Sequence, residues 1–533
     1  MTNEPDLDLL VVGAGFAGMY MLIKGRELGL KTRVFERGDG VGGTWYWNRY
    51  PGARCDVESM QYSMQFDPEL EQEWEWTERY APQPEILKYA NHIADRYDLR
   101  PDIRFECPVN AAHFDEAAGL WRVSVGDGED LTARFVVMAT GCLSQPNKPS
   151  VKGMADYKGP IYHTGEWPKD GVDFTGMTVG VIGTGSSAIQ SIPIIAEQAK
   201  HLTVFQRTPN YAIPAHNAPI DQEMVKRVKA NYRQVREDAR KMPAGIMLDF
   251  RDVSAHDASD EERRRIFQKR WDYGGITFLG GFNDLLLDKS ANDYAAEFVR
   301  EKIHEIVEDA ETAELLSPDN VIGCKRLCVD TGYYATYNRP NVDLVDISGS
   351  PVECLTETGV RVGGKDHAFD AIVFATGFDA MTGAILNIDI QGRGGEKLKD
   401  KWDGGPRNYL GLSMHGFPNM FTVTGPGSPS VLTNMLPSIE QHVEWIAGLI
   451  AYMDRNGLKL AEADLDAENA WVKHVNDVAG LSLRSTCSSW YVGANVPGKP
   501  RVFMPYIGGF PAYIERCAEV VEKGYEGFSL EAA

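Results

Sequence analysis

None of the eight cysteines (Cys55, Cys107, Cys142, Cys324, Cys328, Cys354, Cys487 and Cys517) stands in a CxxC pair or beside a histidine cluster. That spacing argues against a redox dithiol, a zinc or other metal site and a disulfide framework, and leaves the cysteines as packing residues. Positive charge is scarce as well. Lys and Arg number 54 against 76 Asp and Glu, and the net charge of −22 excludes a broad nucleic-acid surface, which needs clustered cations to neutralise phosphates. No apolar run reaches transmembrane length. The opening MTNEPDLDLLVV is acidic without a cleavage-like site, so a cytoplasmic protein with no signal peptide and no membrane partner is expected.

What is present is a globular composition, 43% hydrophobic and 24% charged, over 533 residues, a length that calls for two or three domains. Two stretches carry a dinucleotide pattern. In LDLLVVGAGFAG, an apolar strand runs into Gly13, Gly15 and Gly18, with Ala17 inside the turn. The glycines let the backbone approach a pyrophosphate, and the following helix aims its positive N-terminus at it. KTRVFE then reads as the second strand of the unit and ends in Glu36, a carboxylate that can accept both ribose hydroxyls of an adenosine.

The second unit begins at MTVGVIGTGSSAIQ, with Gly183, Gly185 and Ala188 in GxGxxA spacing. Its second strand, LTVFQRTP, ends in Arg207 where the first unit has Glu36, and Thr208 adds a hydroxyl donor. A guanidinium with no competing acid suits a 2′-phosphate, so the second nucleotide is expected to be NADPH. Two further apolar strands, FVVMATG and AIVFATGFD, stop alike at Ala-Thr-Gly. Two dinucleotide units with these runs look like the flavoprotein monooxygenases and disulfide reductases, which bind FAD first and NADPH second; the missing CxxC counts against the reductases.

Between the units lies YKGPIYHTGEWP. Helical spacing would place His163 and Trp167 on one face as core residues, but Gly159, Pro160, Gly165 and Pro168 argue for a connector instead. Gly159, His163, Trp167 and Pro168 resemble the FxGxxxHxxxWP fingerprint of the Baeyer-Villiger monooxygenases, with Tyr157 in place of Phe. By that resemblance His163 supports the interdomain connection and does not attack substrate.

The same family resemblance covers essentially the whole chain. DGVGGTWYWNRYPGARCDVES is similar to its flavin-covering loop, which implies FAD contacts from Gly43, Thr44 and Trp45, with Tyr62, Val109 and Met435 further along. GCKRLCVDTGYYATYNRPNV resembles the segment that carries the active-site arginine, here Arg326, with Asp56 as its orienting carboxylate and a further cofactor contact. The neighbouring Lys325 is implied to help hold the 2′-phosphate, and Thr184, Ser186 and Ser187 to line the NADPH turn. SSWYVGANVPGKPRVF implies that Trp490 lies near the nicotinamide ribose and the substrate. GPGSPSVLTNML matches the active-site loop of the phenylacetone monooxygenase group and places Ser430, Val431 and Leu432 in the substrate wall. Cys142 and Leu143 join them, Cys142 standing where that group usually carries Gln, which enlarges or dries the pocket.

The fold implied is α/β, with two Rossmann-like domains for FAD and NADPH and a helical insertion in the latter. The expected boundaries are 1–143 and 380–533 for the FAD domain and 144–379 for the NADPH domain. The insertion spans about 215–320, where charged, helix-favouring runs read as solvated faces over the active site. The activity implied is that of a monomeric enzyme that uses non-covalent FAD, NADPH and O2 to convert aryl, aliphatic or cyclic ketones to esters or lactones. In the family this proceeds through a C4a-peroxyflavin and a Criegee adduct, with sulfoxidation as a side activity. A heteroatom monooxygenase, an NADPH oxidase and a non-catalytic nucleotide sensor are the competing readings; the last leaves Arg326, Asp56 and the Trp-Pro linker without a purpose.

Overall fold

The computed structural model describes residues 4–532. Each glycine turn belongs to its own sheet. At the centre of the first, eight-stranded sheet, Leu7–Val12 lies between Thr32–Phe35 and Glu129–Met138, parallel to both. Leu9, Leu10 and Val11 are fully buried, because both faces of this strand are covered, and the run is therefore continuously apolar where a half-exposed strand would alternate. Val109–Asp115 and Leu120–Val125 extend the sheet antiparallel on one side. The chain returns to it late, when Met420–Thr422 pairs with Glu129–Met138 and Asp389–Gln391 with Val109–Asp115. Helix Met435–Arg455 then packs on helix Phe16–Glu27.

The second sheet is wholly parallel, in the order Val342–Asp346, His201–Gln206, Thr178–Ile182, Ala371–Phe374, Ile161–His163. Its edge strand is the histidine-bearing connector, followed by a single 3-10 turn, Thr164–Glu166. The Gly and Pro residues exclude a helix there, as expected.

The two Ala-Thr-Gly runs have one physical cause. Gly13 and Gly183 both have positive φ, +102° and +114°. A Cβ on Gly13 would lie 2.7 Å from the Ala139 carbonyl oxygen, and one on Gly183 would lie 2.6 Å from that of Ala375. Each run therefore ends beside the glycine turn of its own unit, at a distance only glycine tolerates.

Residues 215–320 are largely helical, but they serve both cores. Met224, Val225 and Tyr232 pack into the core of the first unit, and Phe267, Trp271 and Phe298 into that of the second. Two arginines depart from the expectation of solvated charge. Arg236 is buried, with Nε 2.9 Å from Glu71 and Nη1 donating to the Gln61 carbonyl, and Arg270 turns inward toward the carbonyls of Asp249 and Gly280. Sequence charge marks the helix, but the facing residue decides which charges are enclosed.

The cysteines bring a second correction. Cys324 and Cys487 form a disulfide across 163 residues, with their Cα atoms 5.9 Å apart. Spacing along the chain carries no trace of it, because the two residues approach only through tertiary folding. The other six thiols are free, and all but Cys354 are buried. Among the described residues no cluster could hold a metal, and no helix is long and apolar enough to cross a membrane.

Candidate active site

Both glycine turns open onto one cavity of about 1800 Å³. At its first end lie Gly13, Gly15, Ala17 and Glu36. The Glu36 carboxylate accepts the backbone N–H of Ala14 and of Gly38, each at 2.8 Å. Those bonds fix it at the strand end and leave a lone pair on each oxygen for a ribose hydroxyl. Gly43, Thr44, Trp45, Tyr62, Val109 and Met435 continue the lining. Trp45 Nε1 donates to the Tyr62 hydroxyl at 2.9 Å, which holds the indole on the wall. Trp47 lines the cavity too, under the Arg37 guanidinium at 4.4 Å. Gly18 does not reach the cavity. Its missing Cβ would fall 1.8 Å from the Gly13 carbonyl oxygen, so it serves helix-to-strand packing instead.

Gly183, Thr184, Gly185, Ser186, Ser187, Arg207 and Thr208 form the second end. The Thr184 hydroxyl donates to the Thr208 carbonyl at 2.9 Å, and Asn210 Nδ2 to the Thr184 carbonyl at 2.6 Å, tying turn and strand end together. Lys325 faces Arg207 across this end. Burial, and then the charge of Arg207, lower the Lys325 pKa below the usual lysine range. Two cations that repel one another with no ion-pair partner among the described residues make a gap shaped for an anion.

Arg326 and Asp56 stand where the two ends meet. Arg326 Nη2 donates to Asp56 Oδ1 at 2.8 Å, Nε donates to Oδ2, and Nη1 donates to the Val431 carbonyl at 2.6 Å. Burial alone would raise the Asp56 pKa, but the charge and hydrogen bonds of Arg326 outweigh it and hold the carboxyl below its ordinary range. Burial likewise opposes the Arg326 charge, and Asp56 overrides it, raising the guanidinium further. Three of its five N–H groups are engaged, so two remain for a ligand.

Cys142, Leu143, Val431 and Trp490 line the cavity beside this pair. Ser430 and Leu432 do not, which corrects their expected place in the wall. Ser430 is fully buried with φ +44°; its hydroxyl donates to the Thr424 carbonyl at 3.1 Å and lies 3.4 Å from the Cys142 thiol, so it supports the wall from behind. Leu432 packs against the apolar cluster that contains Tyr491, Phe503 and Met504. The single turn Ser430–Leu432 presents only Val431 inward.

The linker residues act at a remove. His163 Nδ1 accepts the Gly165 N–H at 3.0 Å, which leaves Nε2–H to donate to the Thr376 hydroxyl at 3.1 Å; that hydroxyl donates to the Asn147 carbonyl at 2.7 Å. Burial lowers the His163 pKa, in keeping with this neutral tautomer. Trp167 packs against Tyr162 and Phe174, and Pro168 follows it out of the turn. A Cβ on Gly159 would lie 2.8 Å from the Asp370 carbonyl oxygen, and the Tyr157 hydroxyl donates to the Phe369 carbonyl at 2.9 Å. The connector is thus bound to strand Ala371–Phe374 and, through His163, to Thr376 just beyond it, and Thr376 itself lines the cavity.

Sequence reasoning missed Thr376 and a bridge between the units. Thr376 is the central residue of the second Ala-Thr-Gly run, a signal that was in view. The bridge had none: the Tyr50 hydroxyl donates to Gln190 Oε1 at 2.8 Å, and Gln190 Nε2 donates to the Arg54 carbonyl at 3.1 Å.

Known proteins share the sequence pattern and the fold of this chain. The family model described as pyridine nucleotide-disulphide oxidoreductase matches residues 10–252. A Baeyer-Villiger monooxygenase of Pseudooceanicola batsensis is 42% identical over 528 residues, covering 98% of this chain and 96% of its own. Oxidized steroid monooxygenase bound to NADP superposes with a TM-score of 0.95 at 51% identity, over 99% of this chain and all 100% of that one. The OTEMO complex with FAD and NADP superposes with a TM-score of 0.96 at 39% identity, over 99% and 100%.

Proposed function

This chain belongs to the Baeyer-Villiger monooxygenases, and from that premise we propose that Arg326, oriented by Asp56, is its catalytic centre. The protein is an FAD- and NADPH-dependent enzyme that uses O2 to convert ketones to esters or lactones. The observation that carries the assignment is the forked Arg326–Asp56 pair at the meeting of the two nucleotide ends, with two N–H groups still free.

The residues fit both cofactors. Glu36 and the start of helix Phe16–Glu27 suit the adenosine ribose and pyrophosphate of FAD. Arg207 and Lys325 suit the 2′-phosphate of NADPH, whose charge would relieve their mutual repulsion. When bound, FAD supplies the redox chemistry, passing electrons from NADPH to O2 so that one oxygen atom can be inserted beside a ketone carbonyl.

Arg326 donates hydrogen bonds to oxygen that becomes anionic during this insertion, and it does so without surrendering a proton at any working pH. Asp56 holds the plane of the guanidinium, and the Val431 carbonyl fixes its remaining edge. Trp490, Cys142, Leu143 and Val431 supply a mostly apolar wall that keeps water from the reacting atoms and favours an apolar ketone. The boundaries 1–143, 144–379 and 380–533 fit this reading, supported by the late return of Asp389–Gln391 and Met420–Thr422 to the first sheet. The net charge of −22 supports a monomer, which light scattering would check.

The test is product analysis under labelled oxygen. Purified enzyme with FAD, NADPH and 18O2 is offered phenylacetone, cyclohexanone and a steroid ketone in turn. One labelled oxygen in an ester or lactone, with NADPH consumption that depends on the ketone, is expected. Ketone-independent consumption that ends in stoichiometric hydrogen peroxide would refute the reading.

A further inference from the structure

The disulfide Cys324–Cys487 has a place that the reaction outlined above does not explain. Cys324 is fully buried and stands immediately before Lys325 and Arg326. Cys487 lines the cavity three residues before Trp490, in a segment that holds only single 3-10 turns, Leu483–Thr486 and Trp490–Val492. The bond therefore joins the segment bearing the NADPH-side cations to the segment that closes the same side of the cavity.

The hydrogen bonds between the two cysteine-bearing segments are few, and their charges partly repel. Arg484 Nε donates to the Gly323 carbonyl at 3.0 Å, and the Leu483 N–H donates to the Leu286 carbonyl at 2.9 Å. Arg484 has no ion-pair partner among the described residues, and its charge faces that of Arg326. Beyond Cys487, Asn495 Nδ2 donates to the Phe378 carbonyl at 2.7 Å and Lys499 pairs with Asp379, so the far end is anchored on the strand end that follows Ala371–Phe374. Between these anchors Tyr491 packs with Phe503 and Met504, whose N–H donates to the Tyr491 carbonyl at 2.9 Å, and the sulfur bridge ties the near end covalently to the segment of Lys325 and Arg326.

We infer that Cys324 and Cys487 are positioning residues: their disulfide clamps the Trp490 segment over bound NADP⁺, and its reduction loosens that cover. Reduction occurs by thiol–disulfide exchange with an external dithiol. The S–S bond breaks, each cysteine sulfur gains one electron and one proton, and the dithiol leaves as its own disulfide. Hydrogen peroxide reverses the change, taking two electrons and two protons from the thiols and leaving as two waters. A peroxide-forming enzyme with an open cover thus re-closes it.

The inference rests on the site assignment above, and the test separates the two. The FAD-loaded enzyme is compared before and after reduction and alkylation, beside the C324S/C487S double variant. The readouts are non-reducing peptide mapping, hydrogen exchange of residues 481–504, NADP⁺ affinity by calorimetry, and the ratio of peroxide to ester. The expected results are a linked Cys324–Cys487 peptide in the air-oxidised enzyme, roughly tenfold weaker NADP⁺ binding and faster exchange in 481–504 after reduction, and a higher peroxide fraction. The double variant should match the reduced enzyme and ignore reductant, which excludes effects through Cys55, Cys142 and Cys328 at the cavity. No linked peptide, or reduction that leaves affinity and exchange unchanged, overturns the inference. An R207A variant that binds NADP⁺ normally would instead fault the cofactor assignment, leaving the exchange result to decide on the clamp. A merely structural crosslink would lower the melting temperature without moving affinity or the peroxide ratio.

Discussion

Arg326 engages three N–H groups with Asp56 and Val431, and the geometry of the fork distinguishes it from a lysine at the same place. A Lys ammonium could meet one carboxylate oxygen but could not hold both and still present a fixed donor. We expect Arg326→Lys to lower ester formation by about 10²–10³, the cost of one misplaced donor to a developing oxyanion, while reduction of the flavin by NADPH is retained. Gas chromatography of the ester alongside NADPH consumption checks this. At the other end of the cavity, on the proposed 2′-phosphate assignment, Arg207→Ala removes a charge-assisted bond worth about 1.5–3 kcal/mol. The KM for NADPH should rise about 10–100-fold, while that for NADH moves little and kcat is retained. Equal change for both nucleotides would reject the 2′-phosphate contact. Both residues were legible in the sequence, Arg207 from its position at a strand end and Arg326 through family resemblance. Their electrostatic state was not, since the depression of Lys325 and of Asp56 depends on neighbours far away in the chain.

The connector shows what one short element adds. His163 satisfies Gly165 on one ring nitrogen and Thr376 on the other, so it joins the edge strand to the Ala-Thr-Gly turn that lines the cavity. Its removal leaves a buried N–H unpaired, at a cost of about 1–3 kcal/mol. We expect His163→Ala to lower the melting temperature and the yield of ester per NADPH, and His163→Gln to restore much of both. Because burial keeps His163 neutral, the acid limb of the pH–rate profile should stay in place in His163→Gln; a shifted limb would make the histidine an acid-base group after all. The connector's Gly and Pro residues announced that it is not a helix. Its pairing as a fifth strand was not legible, because a three-residue strand has no periodicity to read. The turn Ser430–Leu432 differs in the opposite way: the family resemblance put three of its residues in the wall, and of these Val431 lines the cavity.

Across the whole molecule, two buried groups on helix Met435–Arg455 set opposing pH dependences. Burial pushes the Glu440 carboxyl up from 4.5 to about 8. The folded protein therefore holds a proton that the unfolded chain has lost over that interval, so this group's contribution weakens as pH rises from about 4.5 to 8. Burial pushes His442 down from 6.5 to about 3, where Nδ1 accepts the Thr424 N–H and Nε2 faces the Tyr513 hydroxyl. Here the unfolded chain binds the extra proton, and stability falls as pH drops from 6.5 toward 3. Glu440→Gln retains an acceptor for the Gln65 and Phe66 N–H groups, and it should reduce by several degrees the loss of melting temperature between pH 5 and pH 8. Thermal denaturation across that range checks the sign.

The sequence by itself determined two dinucleotide units, their order, and the opposite charges of Glu36 and Arg207, because strand, glycine turn, helix and strand lie within about 30 residues and their spacing is imposed by local geometry. The family resemblance paired Arg326 with Asp56; tertiary structure alone decided the two-bonded fork that joins them across 270 residues, the Cys324–Cys487 bond across 163, and the burial of Arg236 against Glu71. Contacts at such separations depend on how the two sheets and the helices between them pack, and no periodicity along the chain records that packing.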